Sequence, residues 1–371
     1  MVKLVETTDE ILLADTARGF LDRAAPIAHL RGLRDAGQVG DDALWGEMVA
    51  MGWAGVLVPE AQGGSDMGHA AAGILAREMG RTLATSPFLS TAVIAATALR
   101  QGVDSRSGDR LNQIASGQLR YAIALDETSK FAPTMAEMQA RRDGNGFRLS
   151  GTKRFVVDGA QADRLLVLAR TDDGLTVFDL PAGRAGITRH VTPAIDSRDV
   201  ARIDLADVAA TGDDVLGKVG DAMAVLAPAF QAGQAALAAE LSGLTSGVFG
   251  MTVGYLKERK QFGVPIGAFQ TLQHRAAHLW CETEITAAAV LNAGRLLDTT
   301  PDQAELAVSL AKARATATAQ LAVQEGVQMH GGIGMTDAFD MGFFMKRARV
   351  AAEWLGDYGY HAAIVARHRG F

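Results

Sequence analysis

The stretch ERKQFGVPIGAFQ (258–270) combines side chains that could bind a phosphorylated ligand with a flat ring. Arg259 carries planar donors that can hold a phosphate or pyrophosphate with two parallel hydrogen bonds. Phe262 and Phe269 could cover the face of a ring such as adenine or isoalloxazine, and the Gln270 amide could reach polar atoms of a ring or ribose. The same spacing fits a plain helix–turn–helix corner, with Arg259 in solvent and both phenylalanines in the core, and spacing alone favours that alternative.

A second stretch, QMHGGIGMT (328–336), places glycines just before a helix that is predicted to begin near Asp337. Gly331 and Gly332 would let a phosphate approach backbone N–H groups closely, and Gln328 could donate a hydrogen bond from the side. A glycine-rich helix end explains the pattern at least as well. His330 alone is more readily a packed polar residue than a catalyst or a ligand.

Composition and charge exclude several classes of function. The 36 Lys and Arg residues against 42 Asp and Glu residues give a net charge of −6, which argues against a nucleic-acid-binding protein. The single Cys281 allows no intrachain disulfide and no multi-thiolate metal site, so we expect a cytoplasmic protein. The eight histidines show no metal-ligand spacing, so no metal is expected. No apolar run reaches the roughly 18 residues that a membrane span needs.

The elements that must position these stretches fall into three zones. Residues 1–116 show the three- and four-residue apolar spacing of helices. Residues 117–219 change to short apolar segments separated by predicted hairpin turns at DGNG (143–146) and DDG (172–174). Residues 220–371 are rich in Ala and Leu and read as long helices. The predicted fold is α+β, mostly α: an N-terminal helical domain, a middle β-barrel-like domain and a C-terminal four-helix bundle.

Local signals refine these zones. Thr8 or Asp9 is predicted to cap the first helix. A tight turn at Gly263-Val264-Pro265 is predicted to join two long helices, the second beginning near Phe269. The strand-like segments of the middle zone are RYAIAL (120–125), GFRLSG (146–151), KRFVVDG (153–159), RLLVLAR (164–170) and LTVFDL (175–180).

These motifs together resemble the acyl-CoA dehydrogenase family. The family pattern pairs a stretch like ERKQFGVPIGAFQ with a later QMHGGIGMT and a helix ending in KRAR. PEAQGG (59–64) resembles the proline–glutamate–x–x–glycine–glycine loop of the N-terminal domain, and SGTKRFVVDGAQADRLLVLAR (150–170) resembles a strand pair of the middle domain. The resemblance covers essentially the whole chain in the right order, and the two C-terminal motifs are specific only as a pair.

The resemblance implies an FAD enzyme that is usually a dimer of dimers, acts on an acyl-CoA and passes electrons to an electron-transferring flavoprotein. In such enzymes a carboxylate removes the proton alpha to the thioester carbonyl, and the beta carbon gives a hydride to the flavin. The neighbouring subunit largely holds the ADP half of each FAD. The residues that carry this role over to the present chain are Arg259, Gln261, Phe262, Phe269, Gln270, Gln328, Gly331 and Gly332.

The chain departs from the family pattern at the catalytic base. The family's usual base is a Glu followed by Gly and Thr, and that register here places Leu355 before Gly356. The second known location, on the first long helix of the bundle, falls on Gly233. Neither side chain can accept a proton, so we assign no catalytic residue. The nearest carboxylates are Glu353 and Glu240.

The middle domain departs as well. The family's Thr-Glu-Pro loop, which covers the flavin and the acyl group, corresponds to LDETSKFAPTMAE (125–137), where Glu127 is retained. The aromatic residue and the Thr that flank the flavin ring align with Phe155 and Val157. Phe155 can still stack on a ring, whereas Val157 has lost the hydroxyl and offers only its backbone N–H.

Three hypotheses follow from this pattern. The first is a subunit of a heteromeric acyl-CoA dehydrogenase, which clasps the ADP half of an FAD whose ring and base belong to another subunit. The second is an ordinary homotetrameric enzyme with a relocated base, Glu353 or Glu240. The third is a related flavoprotein of different chemistry, such as an oxidase. A purely structural helical protein is disfavoured because both FAD motifs would then be coincidental.

Overall fold

The computed structural model describes residues 5–102, 105–192 and 194–371. The chain divides into two compact units, each assembled from separate segments. One comprises Met1–Gly32, His69–Ala84 and Gln234–Phe371, and the other comprises Leu33–Gly68 and Thr85–Gly233.

The N-terminal part is helical, as predicted. The first helix is capped by Thr7 rather than by Thr8 or Asp9, because Glu10 completes a capping box: the Thr7 hydroxyl accepts from the Glu10 N–H, and the Thr7 N–H donates to the Glu10 carboxylate. Asp41 caps the third helix. The helices are α1 (Thr8–Ala24), α2 (Ile27–Asp35), α3 (Asp42–Ala50), α4 (Gly68–Thr82), α5 (Ala96–Arg100) and α6 (Ser105–Ala115).

A buried π-helix, Phe88–Ala95, directly precedes α5. π-Helices are rare and occur frequently at functional sites. Within this one, Thr91 exchanges two hydrogen bonds with the backbone of Tyr121, which is the first residue of the sheet. The π-helix therefore fixes the start of the strand that leads into the 125–137 loop.

The middle zone forms one eight-stranded sheet. Two of the predicted segments, 146–151 and 153–159, are parts of a single long strand that bends at a bulge. The prediction missed the strands β2, β6 and β7. Strands β2 and β7 are rich in charged residues or Ala, which are poor strand formers, whereas β6 is a short segment of five residues that the sequence prediction passed over. The strands are β1 (Tyr121–Ala124), β2 (Gln139–Asp143), β3 (Gly146–Val157), β4 (Arg164–Thr171), β5 (Gly174–Pro181), β6 (Ile187–Val191), β7 (Val200–Ala210) and β8 (Val215–Leu216).

The sheet order is β6-β7-β3-β2-β4-β5-β8, and β1 pairs in parallel with the start of β4. Strand β4 is buried along nearly its whole length, and it pairs with β5 throughout and with β1 over its first half. The predicted turn at DGNG joins β2 to β3, and a second predicted turn at Asp172-Asp173 joins β4 to β5. An apolar core that includes Phe147, Phe178 and Leu165 holds the sheet together.

The C-terminal part contains five helices between residues 194 and 371, where four were predicted. Helix α9 packs against three of the others, α8, α10 and α11. Helix α10 begins at Met341, a few residues later than predicted. The helices are α7 (Ala222–Glu258), α8 (Gln270–Thr299), α9 (Glu305–His330), α10 (Met341–Glu353) and α11 (Tyr358–His368).

Helix α7 is long and apolar enough to cross a membrane by length and composition alone, so the expectation that no segment meets that criterion is wrong. However, 72% of its most apolar window is buried inside the protein. Such burial is typical of a central packing helix, and α7 accordingly carries many of the buried residues of the C-terminal part.

Candidate functional site

A short β-hairpin, not a simple helix–turn–helix corner, separates α7 from α8. Its strands are β9 (Lys260–Gln261) and β10 (Val264–Pro265), which pair antiparallel. The turn lies one residue earlier than predicted, at Phe262 and Gly263, with φ of 53° and 81°. Positive φ at both central positions is the type I′ geometry that suits a two-residue hairpin. A bulky residue in this region is unusual, so the hairpin holds Phe262 in a strained and outward position.

The two phenylalanines lie on the surface, so the alternative that places them in the core is wrong. The side chain of Phe262 is 92% exposed and that of Phe269 is 37% exposed. Their rings meet edge to face, with 6.1 Å between centroids. Arg259 and Gln261 are exposed beside them. The hairpin thus presents a cation and two aromatic rings to whatever binds outside this chain.

The N-terminus of α8 lies next to the hairpin and has no side-chain cap, because its N-cap position is occupied by Phe269. Gln270, the first residue of the helix, is exposed. Uncapped N–H groups at the start of a long helix, together with its dipole, favour an anion. The arrangement suits the phosphate-binding role that the resemblance gives to Arg259 and Gln270.

The glycines after α9 leave open space. Gly331 has φ 65° and ψ −144°, a conformation that favours glycine, and a Cβ built on Gly331 or Gly332 would meet no atom within 4 Å. Gln328 is exposed at the end of the same helix. A ligand could therefore approach this backbone closely, as a phosphate- or adenine-binding segment requires.

His330, between these residues, is a packed side chain. Its Nδ1 donates to the carbonyl oxygen of Gly326 at 2.7 Å, and its ring lies between Tyr255 and Phe339. Burial lowers the pKa of His330, so the imidazole is neutral. This agrees with the expectation that His330 is a packed polar residue.

In the sheet, the bulge of β3 presents Phe155. Its φ is 53° and it is 52% exposed, whereas Val157 is 9% exposed. The register of β3 against β7 shifts between Lys153 and Val156, so Phe155 lies at the irregular point itself. A half-exposed aromatic ring in strained backbone is compatible with the predicted ring-stacking role.

Glu127 is a structural residue. Its carboxylate accepts hydrogen bonds from Lys153 Nζ at 2.6 Å and from the backbone N–H groups of Glu137 and Met138. These bonds lower the pKa of Glu127 although burial opposes them. The residue therefore stays ionised, and its bond to Lys153 connects the 125–137 loop to β3.

Leu355, the position that the resemblance gives to the family's base, lies in a tightly bonded turn between α10 and α11. Leu355 is 2% exposed, and its φ is 57°, which is rare for a branched side chain. Its carbonyl oxygen accepts from Gln234 Nε2 and from His361 Nε2, both at 3.1 Å. Lys312 Nζ donates to three further carbonyls of this segment, those of Ala351, Ala352 and Gly356. The turn is rigidly built and carries an aliphatic side chain.

Burial is the main cause of the lowered pKa values of His361 and Lys312, the two basic side chains that hold this turn. It lowers the pKa of His361 to about 4, so the imidazole is neutral. It also lowers the pKa of Lys312 to about 7, against the opposing charges of Glu353 and Asp357. Lys312 Nζ donates hydrogen bonds to the carbonyls of Ala351 and Ala352 at the end of α10, and an isolated helix would leave these carbonyls unbonded.

The two carboxylates that could serve as a relocated base, Glu240 and Glu353, each form an ion pair with an arginine. Glu240 is buried and paired with the equally buried Arg347, with 3.2 Å between Oε1 and NH1. Glu353 pairs with Arg349 one helical turn before it, on the exposed side of α10. Neither geometry is that of a carboxylate held alone in a dry pocket, which the proton abstraction needs.

Comparison with known proteins agrees with these features. The acyl-CoA dehydrogenase N-terminal domain matches residues 7–118, and the acyl-CoA dehydrogenase C-terminal domain matches residues 221–369. The chain belongs to the acyl-CoA dehydrogenase family. Enzymes of this family are FAD-dependent oxidoreductases, and the predicted fold class is confirmed.

Several members of the family are similar over nearly the full chain. Acyl-CoA dehydrogenase IpdE2 of Mycobacterium tuberculosis is 30% identical over 93% of this chain and 92% of its own length. The structure of the Tcur3481–Tcur3483 steroid acyl-CoA dehydrogenase, a G363A variant, is 29% identical, with a TM-score of 0.86 and 97% of each chain covered. The ChsE4–ChsE5 complex of M. tuberculosis, at 23% identity and a TM-score of 0.90 over 99% of each chain, shares the fold.

Sequence reasoning missed several residues of this acyl-CoA dehydrogenase that shape the candidate site. Gln234, Lys312 and His361 hold the Leu355 turn, yet each stands in an ordinary helical pattern and gives no local signal. Asp126 also escaped notice, although it stands beside Glu127 in a loop of special interest. Its position follows Leu125 directly and could have been flagged as a carboxylate at the family's Thr position.

Proposed function

We propose that this chain is one subunit of a heteromeric FAD-dependent acyl-CoA dehydrogenase that desaturates an acyl-CoA between its alpha and beta carbons. In the assembly it clasps the ADP half of an FAD, while a second, related chain provides the base. Bound FAD would supply the acceptor for the hydride. The observation that carries the proposal is Leu355, an aliphatic residue at the base position of an otherwise intact turn.

The residues of the predicted clasp fit FAD. Arg259 and the uncapped start of α8 favour the negative pyrophosphate, and the open backbone at Gly331 and Gly332 leaves room for the adenosine part. Phe262 points away from its own chain, as a residue serving a neighbouring subunit should. Within the chain itself, these residues bind and orient, and none of them exchanges a proton with the substrate.

Four residues support the lack of a base within this chain. Leu355 cannot accept a proton, and the residue beside the second family location, Gln234, donates its amide to the Leu355 carbonyl. Glu240 would leave a buried arginine uncompensated if it took up a proton, which is costly. Glu353 is engaged with Arg349 at the surface.

The substrate class and partners follow from similarity. Proteins named as a steroid acyl-CoA dehydrogenase and as a two-protein complex are among those similar to this chain, which supports a bulky acyl-CoA and a heteromeric assembly. We propose an electron-transferring flavoprotein as the electron acceptor, a dimer of dimers as the assembly and the cytoplasm as the location. The three-domain division at residues 116 and 219 is likewise our proposal.

Purification of the chain alone and with a second acyl-CoA dehydrogenase chain encoded beside it tests the proposal. Flavin content and bleaching of the flavin absorbance by steroid and fatty acyl-CoA thioesters are measured for both. We expect low flavin content and no bleaching for the chain alone, and both properties for the pair. Full flavin occupancy with acyl-CoA oxidation by the isolated chain would refute the proposal and favour a homotetramer.

A further inference from the structure

The two motifs of the predicted clasp lie on different helices. The first, ERKQFGVPIGAFQ, ends with Gln270 at the start of α8, and the second, QMHGGIGMT, begins with Gln328 near the end of α9. These helices run in opposite directions, so the start of α8 lies near the end of α9. A ligand that binds one motif with its pyrophosphate and the other with its adenosine needs a fixed distance between the two helix ends.

An ion pair joins the two helices close to both motifs. Arg275 on α8 donates from Nε to one oxygen of the Glu325 carboxylate at 2.6 Å and from NH2 to the other oxygen at 3.0 Å. Arg275 lies five residues after Gln270, and Glu325 lies three residues before Gln328. Two parallel hydrogen bonds fix the mutual orientation of the two groups as well as their distance. The pair therefore holds the start of α8 against the end of α9.

Two further polar contacts join α8 and α9 farther from the motifs. Arg314 NH2 donates to the Glu282 carboxylate at 2.8 Å, and the hydroxyl oxygens of Thr286 and Thr318 are 2.8 Å apart. Glu282 lies about three helical turns after the start of α8. Its side chain and that of Arg314 are both 29% exposed, against 37% and 20% in the first ion pair, so the two pairs have similar surroundings. Ion pairs of this exposure contribute little to the free energy of unfolding.

Each motif is also bonded to the helix that carries it. Gln273 Nε2 on α8 donates to the carbonyl oxygen of Gly267 at 2.9 Å, and His330 bonds to the carbonyl oxygen of Gly326 within α9. The ring of Tyr255 on α7 lies 4.5 Å from that of His330 and supports the end of α9, but it makes no bond to α8. Because each motif follows its own helix, the spacing of the motifs depends on the spacing of the helix ends.

We propose that Arg275 and Glu325 are positioning residues of the FAD clasp: their paired hydrogen bonds set the distance between the two motifs and so strengthen binding of the ADP half of FAD. The inference rests on the proposed function, because the ligand is FAD. Both residues act through the helix ends that carry Gln270 and Gln328. A site that is spaced correctly before the ligand arrives loses less conformational freedom on binding, and its affinity is higher.

Charge reversal in the flavin-depleted assembly tests the inference, with the dissociation constants of FAD and of ADP measured by calorimetry. In Arg275→Glu two carboxylates face each other, so the helix ends should separate and both ligands should bind about tenfold more weakly. The exchanged pair Arg275→Glu/Glu325→Arg should restore both dissociation constants to within about threefold of the wild type. Arg314→Glu is the matched control, because it sets two carboxylates between the same helices away from the motifs. It should lower the urea midpoint as much as Arg275→Glu does and leave both dissociation constants unchanged.

The outcomes separate the two proposals. If Arg275→Glu binds FAD and ADP as the wild type does, if Arg314→Glu weakens both equally, or if the exchanged pair restores neither, the positioning role is refuted and the proposed function stands. If the wild-type assembly binds neither FAD nor ADP, the proposed function fails and the inference fails with it.

A milder pair of variants decides the question should Arg275→Glu not fold. Glu325→Gln removes the charge but keeps one acceptor oxygen, and it should weaken FAD binding about threefold. Glu282→Gln makes the same change in the control pair and should leave FAD binding unchanged. Equal FAD affinities in these two variants would refute the role of Arg275 and Glu325.

Discussion

At the scale of single residues, the proposed lack of a base depends on Leu355, which stands at the position that the family resemblance gives to the base. Leu355 is buried and has a left-handed backbone conformation. Its carbonyl accepts hydrogen bonds from Gln234 and His361. The backbone conformation and the hydrogen bonds to the carbonyl therefore fix the direction of the side chain, whatever its type. A different side chain at this position should take the same direction, provided that the surrounding core tolerates it.

Leu355→Glu should consequently install a base. We expect exchange of the alpha proton of an acyl-CoA with deuterium, because burial raises the pKa of a carboxyl group toward neutrality. The free energy of unfolding should fall by about 1–3 kcal/mol, since a polar group enters an apolar position. Leu355→Gln is the matched control, with a similar stability loss and no exchange. Equal exchange by the Gln and Glu variants would contradict this reading of the turn.

His361 predicts an acid-sensitive stability. Its pKa is about 4 in the folded protein and 6.5 as its ordinary value, so the unfolded chain binds the proton first. The stabilisation is complete above pH 6.5 and is lost as the pH falls toward 4, to a total of about 3 kcal/mol. Urea unfolding at pH 7.0 and pH 4.5 should show the wild type losing about 2 kcal/mol more than His361→Gln.

Asp126 titrates with the opposite sign, because its raised pKa favours the folded protein at low pH, but it is present in both proteins and cancels in the comparison. Identical pH profiles for wild type and His361→Gln would mean that the imidazole is not neutral in the folded protein. The role assigned to its Nε2–H in holding the Leu355 carbonyl does not depend on that outcome.

At the scale of elements, the β9–β10 hairpin projects a residue that the chain itself does not use. Phe262 is almost fully exposed, so Phe262→Ala should change the free energy of unfolding by less than about 0.5 kcal/mol. If its ring covers part of an FAD, the same variant should lower FAD affinity in the assembly about tenfold. Phe371→Ala, at a position 94% exposed, is the matched control for thermal stability and flavin content. Unchanged flavin affinity would remove Phe262 from the clasp.

Lys312 couples α9 to the end of α10. Replacing it by Met keeps the length of the side chain but leaves the carbonyls of Ala351, Ala352 and Gly356 buried without a donor. We expect a loss of about 3 kcal/mol in urea unfolding and faster amide hydrogen exchange in residues 351–361. Lys346→Met, in α10 itself, should do neither. Unchanged exchange in that segment would show that the turn holds without Lys312.

Periodicity and turn chemistry predicted most of these elements from the sequence. The helical zones, the DGNG hairpin and the β4–β5 turn were confirmed because each depends on residues close in sequence. The β9–β10 hairpin was missed, since Phe262 in left-handed backbone runs against its intrinsic preference. Strand β7 was missed because its Asp and Ala residues acquire strand structure only by pairing with β3.

At the scale of the whole molecule, what the sequence predicted least were the contacts between distant segments. Gln234, Lys312 and His361 meet around Leu355 only after α7, α9 and α11 pack, and no local pattern encodes that meeting. The predicted clasp, by contrast, rests on two motifs that are each contiguous in sequence, and its role in binding FAD stays a prediction. The domain boundaries, the cytoplasmic location and the assembly with other subunits stay predictions.

The central claim is that an acyl-CoA dehydrogenase fold, complete in its clasp, lacks its own base. The direct measurement is deuterium incorporation at the alpha carbon of an acyl-CoA, followed by mass spectrometry, with the isolated chain in deuterium oxide that contains excess FAD. The account predicts no incorporation above the rate in buffer, and incorporation once a base-bearing partner is added. Incorporation by the isolated chain that Glu353→Gln or Glu240→Gln abolishes would contradict it and identify a relocated base.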